Sequence, residues 1–165
     1  MDGAPGAKAA AETDAALPMA RAMAAQAAGA SKFRQAAAGL KGLVEPQVIM
    51  TSPLLRARQT AEILMDACGL AKLHFSDALA SDDHAALMLD VIELEARSVM
   101  LVGHEPHMSG LLAYLLTGDE ALMASTFKKG AAALVSCDGE PVAGDCWLEW
   151  LIQPAALRAL ADRKG

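Results

Sequence analysis

Residues 48–64 read VIMTSPLLRARQTAEIL, and the change of pattern within them sets the fold class. Val48-Ile49-Met50 is a short apolar run of the kind found in a strand buried on both faces. Ser52-Pro53 follows, a serine suited to cap a helix and a proline suited to its first position. The helix is expected to run to Cys68, with Gly69 as its stop. The same order returns downstream. Ser98-Val99-Met100-Leu101-Val102 is a second buried-type strand, Gly103-His104 is a turn, and Pro106 to Thr117 is apolar at helical spacing.

Working outward, Phe33, Ala36, Ala37, Leu40 and Leu43 recur at helical spacing from Ser31, and Gly42 and the Glu45-Pro46 turn end that helix. Leu73 to Phe75 is expected as a short strand and Asp83 to Glu95 as a helix. Ala131 to Val135 and Trp147 to Ile152 are expected as strands, and Gln153-Pro154 opens a last helix to about Asp162. Strands alternating with helices predict an α/β fold, a three-layer sandwich whose mainly parallel sheet is flanked by helices. There is no internal repeat.

Residues 1–30 differ. They are alanine-rich, hold two prolines and three glycines, and contain no Val, Ile, Phe, Tyr or Trp. Such a segment has no strand signature and little apolar bulk, so it is expected as loop plus a weak helix around Pro18 to Ala28. The chain therefore divides into an atypical N-terminal segment, 1–30, and an α/β domain, 31–165.

A length of 165 residues is one domain's worth and buries a sizeable core without staples. The hydrophobic set is 54% of the chain, yet much of it is alanine, and no segment approaches the roughly 20 unbroken apolar residues of a membrane span. A net charge of -6 argues against a general nucleic-acid binder. Cys68, Cys137 and Cys146 are odd in number and form no C-x-x-C pair, so neither a disulfide framework nor a zinc ribbon is expected. With no signal-peptide pattern at the N-terminus, the expected location is the cytoplasm.

Ligands of open α/β sheets bind beyond the carboxyl ends of the strands, where the following helices present free N–H groups. Arg56 falls in the first helical turn after one strand and His104 directly after another. Each alone reads as a surface residue. Together, at matching strand-to-helix junctions marked by Pro53 and Pro106, they read as an anion site with a phosphate group as guest.

Other chemistries fail on spacing. His104-Glu105-Pro106-His107 is not the helical H-E-x-x-H arrangement, so no metal is expected, and no cofactor either. A cysteine phosphatase needs an arginine six positions after its cysteine, but those positions hold His74, Ala143 and Ile152. Lys128-Lys129-Gly130 has its glycine on the wrong side for a P-loop and reads as a loop before the next strand. His74 and His84 read as surface or satisfied core histidines. Asp82 and Asp83 read as turn residues or caps of the helix that follows them.

TSPLLRARQTAEIL (51–64) and LVGHEPHMSGLL (101–112) resemble the S-P-x-x-R-x-x-Q-T-A and (G/S)-H-x-P segments of the histidine phosphatase superfamily, in its small SixA-type phosphohistidine phosphatase branch. FKKGAAALVSCDG (127–139) and CWLEWLIQP (146–154) are similar to that family's last two strands, so the resemblance covers roughly residues 31–160. It implies a phosphoglycerate-mutase-like fold and a phosphate pocket of two histidines and two arginines. Arg56 would be the second arginine and His104 the second histidine, with Ser52 also at the phosphate. Both would stabilise charge on the transferring phosphoryl group, and the loop holding Asp77, Asp82 and Asp83 is where the resemblance would place a general acid, Asp82 or Asp83.

The first histidine, the family's nucleophile, stands in an R-H-G or R-H-A segment after the first strand. This chain's histidines are 74, 84, 104 and 107, and none precedes Ser52. PGAKA (5–9) stands where R-H-A-K-A would fall, and Gly29 alone stands for the family's L-T-x-x-G segment. Three readings compete: a degenerate phosphatase that binds without turnover, an altered N-terminal sequence, and an enzyme rescued by another histidine, His107 or His84. The first is favoured, with a phosphorylated protein or small phosphoester as partner. An active phosphohistidine phosphatase and a structural or interaction protein without phosphate binding are the alternatives. Loss of an interior strand would leave ladder groups exposed, which makes a homodimer a further expectation.

Overall fold

The structure is a computed structural model, and it describes residues 21–26, 30–70 and 72–163. Six strands form one sheet among them: β1 (Arg21–Gln26), β2 (Val48–Thr51), β3 (Leu73–Phe75), β4 (Ser98–Gly103), β5 (Ala132–Cys137) and β6 (Cys146–Ile152). The spatial order is β3-β2-β4-β1-β5-β6. The first four run parallel, while β5 is antiparallel to β1 and β6 antiparallel to β5. The helices are α1 (Ala30–Lys41), α2 (Leu55–Cys68), α3 (His84–Glu93), α4 (His107–Thr117) and α5 (Pro154–Asp162).

Alternation along the strands builds the two faces. On β4, Val99 and Leu101 join Met50, Leu87, Leu111, Leu112 and Leu115 in the core under α3 and α4. Met100 and Val102 point the other way, to Phe33, Leu40, Ile49, Ala61, Leu64 and Leu157 under α1, α2 and α5. A sheet between two helical layers is the predicted three-layer α/β sandwich. Gly69 ends α2 at φ +68°, a left-handed C-cap whose N–H bonds the Met65 carbonyl. Among the described residues no helix is long and apolar enough to cross a membrane.

Three expectations are corrected. Residues 21–26 form neither loop nor helix but a central strand. The ladders of β4 and β5 run continuously along both of its sides, from Arg21 opposite Ser98 to Gln26 opposite Gly103 on one and from Arg21 opposite Ser136 on the other. Pairing on two edges outweighs the weak β-propensity of alanine. Residues 5–9 and Gly29, which the resemblance sets against the family's first segments, lie outside the described residues.

The second correction concerns Ser52, which does not cap α2. The helix starts at Leu55, with Leu54 as a cap lacking a side-chain bond. The Ser52 N–H donates to the Val102 carbonyl at 3.1 Å and holds the residue against β4. The third concerns the cysteines. Cys137 and Cys146 face each other on β5 and β6 with Cα atoms 4.5 Å apart and are disulfide-bonded, leaving Cys68 free. Their separation of nine residues carries no mark of the strand register that makes them neighbours.

Candidate functional site

The parallel strands β2 and β4 are neighbours in register, Thr51 beside Val102, so the residues that follow them emerge side by side at one end of the sheet. Ser52 leaves β2 there and His104 leaves β4. Their side chains meet, with Ser52 Oγ 3.2 Å from His104 Nε2. Ser52 is fully buried, His104 half-buried and Arg56 exposed. The site is therefore a buried hydroxyl at the base, an imidazole above it and a guanidinium open to solvent. The first turns of α2 and α4 stand at the same junctions, and helix N-termini carry unpaired N–H groups and partial positive charge.

Burial holds the His104 imidazole below its ordinary pKa, and the positive fields of His107 and Arg56 push in the same direction. The ring is thus neutral at neutral pH, and its Nε2 is already engaged with the serine. A dianion placed among these groups would offset the two positive fields and favour the protonated ring. Ser52 and His104 are in contact, and Arg56 is near enough for its charge to act on the imidazole. His107, the first residue of α4, contributes its field to His104 as well.

Of the remaining candidates, Asp83 and His84 have side chains engaged elsewhere. Asp83 caps α3, its Oδ1 accepting from the Ala86 N–H at 3.1 Å. Asp82 is exposed, and its carbonyl accepts from the His84 N–H at 2.9 Å. His84 is buried, with Nε2 2.9 Å from Glu120 Oε2 and its ring tilted against Tyr114. His74 is half-buried and lines a crevice of about 820 Å³ with Ser76, Asp77 and Asp90. Among the described residues no group of three or more His, Cys, Asp or Glu side chains is placed to hold a metal ion.

Glu105 and Gln153 both hold the segment before β5. Glu105 follows His104, and its Oε1 accepts from Ser109 Oγ at 2.5 Å and from the Phe127 N–H at 3.3 Å. Gln153, at the end of β6, donates from Nε2 to the Thr126 carbonyl at 2.7 Å and accepts the Lys128 N–H on Oε1 at 3.2 Å. The sequence marks both as polar residues at the junction of a strand with a helix, and their shared partner segment shows only in the fold.

A family model, histidine phosphatase superfamily (branch 1), matches residues 26–85. That span contains Ser52 and Arg56 and stops before β4. No curated protein matches the chain. Among solved structures, the protein histidine phosphatase SixA complexed with tungstate is similar at a TM-score of 0.69 and 24% identity, covering 83% of this chain and 99% of that one. A candidate phosphohistidine phosphatase SixA from Agrobacterium tumefaciens is similar at 0.63 and 23%, covering 84% and 100%. Phosphoglycerate mutase from Plasmodium falciparum is similar at 0.57 and 17%, covering 79% and 88%. At these identities the likeness is one of fold.

Proposed function

We propose, for a chain with the histidine phosphatase fold and a match to that superfamily's model, that the Ser52–Arg56–His104 site binds the phosphoryl group of a phosphohistidine or phosphomonoester, with weak or no turnover. The observation that carries this reading is the contact of buried Ser52 with His104 at 3.2 Å, beside the first turn of α2 that holds Arg56. A neutral imidazole, a hydroxyl, a guanidinium and two helix N-termini form a set of donors suited to phosphate oxygens. Arg56 supplies permanent charge, and His104 takes a proton as the dianion arrives.

Turnover by the family's route needs a second imidazole to attack phosphorus and to carry the phosphoryl group before hydrolysis. The sequence holds no histidine before Ser52, His84 is committed to Glu120, and His107 leaves the same strand end as His104, three residues on, rather than the opposite wall. The expected activity is therefore recognition, and the expected partner a phosphorylated protein or small phosphoester.

The test pairs calorimetric titration of orthovanadate with phosphate release from a phosphohistidine-bearing protein and from an aryl phosphate. The native chain, Arg56→Ala and His104→Ala are compared. Vanadate binding that weakens in both variants, with no release by the native chain, is the expected result. Release that disappears in both variants would mean an active phosphatase with another nucleophile. Vanadate binding indifferent to both changes would overturn the site itself.

A further inference from the structure

The Ser52 hydroxyl is fully enclosed, the residue being 0% exposed. Its place is set by the strand beside it. The Ser52 N–H donates to the Val102 carbonyl at 3.1 Å, and Val102 stands two residues before His104, so hydroxyl and imidazole hang from the adjacent ends of β2 and β4. Ser52 Oγ lies 3.2 Å from His104 Nε2, and among the described residues the hydroxyl has no second partner.

A buried hydroxyl must place its proton on an acceptor. If Nε2 carried the hydrogen of the neutral ring, it would donate to Oγ, and the serine O–H would be left without an acceptor in the interior. With the hydrogen on Nδ1, Oγ–H donates to the Nε2 lone pair and both groups are satisfied. The unpaired donor disfavours the first arrangement by about tenfold or more, which outweighs the mild preference of a free imidazole for hydrogen on Nε2. The bond made at one ring nitrogen thus fixes the state of the other. Burial and the positive fields of His107 and Arg56 keep the ring in the neutral form to which this choice applies.

We propose that Ser52 is a positioning residue that locks the imidazole of His104 as its Nδ1–H tautomer. Nδ1 has no partner among the described residues, which leaves its N–H to donate to a phosphoryl oxygen. A ring nitrogen that carries hydrogen has no in-plane lone pair and cannot attack phosphorus, and the lone pair of Nε2 is held by the buried serine. The lock therefore makes His104 a donor and bars it from the part of nucleophile. Ser52 acts on the anion through the imidazole. When a dianion draws a proton onto the ring, the same hydroxyl oxygen turns to accept from Nε2–H, and Nδ1–H stays in place. The proposal rests on the reading of the Ser52–Arg56–His104 site as a phosphoryl site.

The experiment reads both ring nitrogens of His104 by proton–nitrogen NMR at about pH 8, above the ordinary imidazole pKa of ~6.5, with His104→Gln assigning the signals. The native chain, Ser52→Ala and Ser52→Thr are compared, and orthovanadate is titrated into each. The native ring should show a protonated Nδ1 and an unprotonated, hydrogen-bonded Nε2. Ser52→Ala should move the tautomer ratio about tenfold toward Nε2–H, and Ser52→Thr, which keeps the hydroxyl, should restore the native pattern. Where Ser52→Thr does not fold, the native and Ser52→Ala spectra decide. Vanadate should leave Nδ1 protonated and shift its resonance. A native ring with its hydrogen on Nε2, or a tautomer ratio unchanged in Ser52→Ala, overturns the lock even where vanadate binds. Vanadate that binds without moving the Nδ1 signal overturns the part of His104 as donor. Failure of vanadate to bind the native chain overturns the phosphoryl site, and the tautomer of the free ring then still decides the lock.

Discussion

Gly39 lies on the face of α1 that meets α5, and a methyl group there has nowhere to go. A Cβ at this position would sit 1.9 Å from the Leu157 carbonyl oxygen and 2.9 Å from its carbon. Both are backbone atoms inside a helix, so no side chain can swing aside. Reaching ordinary contact requires α1 and α5 to part by roughly 1.5 Å at this point. The parting would loosen Phe33, Leu40 and Leu157, which are buried together, and strain the Gln35 Nε2 to Asp162 Oδ1 bond of 2.7 Å. Overpacking of this kind costs about 1 to 3 kcal/mol, and a rigid obstacle places Gly39→Ala at or beyond the upper end. Against this, alanine gains about 1 kcal/mol in helix propensity. The net expectation is a loss of about 2 kcal/mol and a melting temperature lower by roughly 4 to 8 °C for a domain of this size. Thermal and urea unfolding measure it, with Ala38→Gly on the exposed side of the same helix as the control. That control should lose only the propensity difference, about 1 kcal/mol. A Gly39→Ala protein as stable as the native chain, or more so, would refute the close approach of the two helices.

Three further outcomes are expected. Replacing Arg56 or His107 by Gln removes a positive field from His104, so the imidazole pKa should rise toward its ordinary value in either variant; NMR titration of the ring reads this, and a fall in either would contradict the electrostatics of the site. Because the folded His104 pKa lies below the unfolded one, the unfolded chain binds more protons, and stability should decline as pH falls from about 6.5 through the folded value. Urea midpoints across that window should flatten in His104→Gln, and an unchanged slope would assign the decline to other groups. Asp83→Ala should cost about 1 kcal/mol through loss of the α3 cap, and Asp83→Asn should recover most of it; equal stability of all three proteins would remove the cap from the account.

The sequence by itself determined the layers. Apolar runs such as Val48-Ile49-Met50 and Val99 to Val102 have neither a helical nor an alternating pattern, and burial on both faces is what such runs require, so the sheet and its flanking helices were legible from local composition. Arg56 and His104 were legible for the same reason, since each stands a short step beyond a strand of that kind. Tertiary structure decided what depends on register between distant segments. Arg21–Gln26 is a strand because β4 and β5 present hydrogen-bonding edges on both of its sides, a condition absent from the alanine-rich segment taken alone. Ser52 meets His104 rather than capping the helix because β2 lies against β4, which brings its hydroxyl to the imidazole across 52 positions of sequence. Cys137 and Cys146 became partners, and Glu105 and Gln153 became clamps, through pairings that no local pattern encodes. Hydrogen bonds and side-chain contacts act over a few ångströms, so a sequence reveals those made within an element and the folded chain supplies those made between elements.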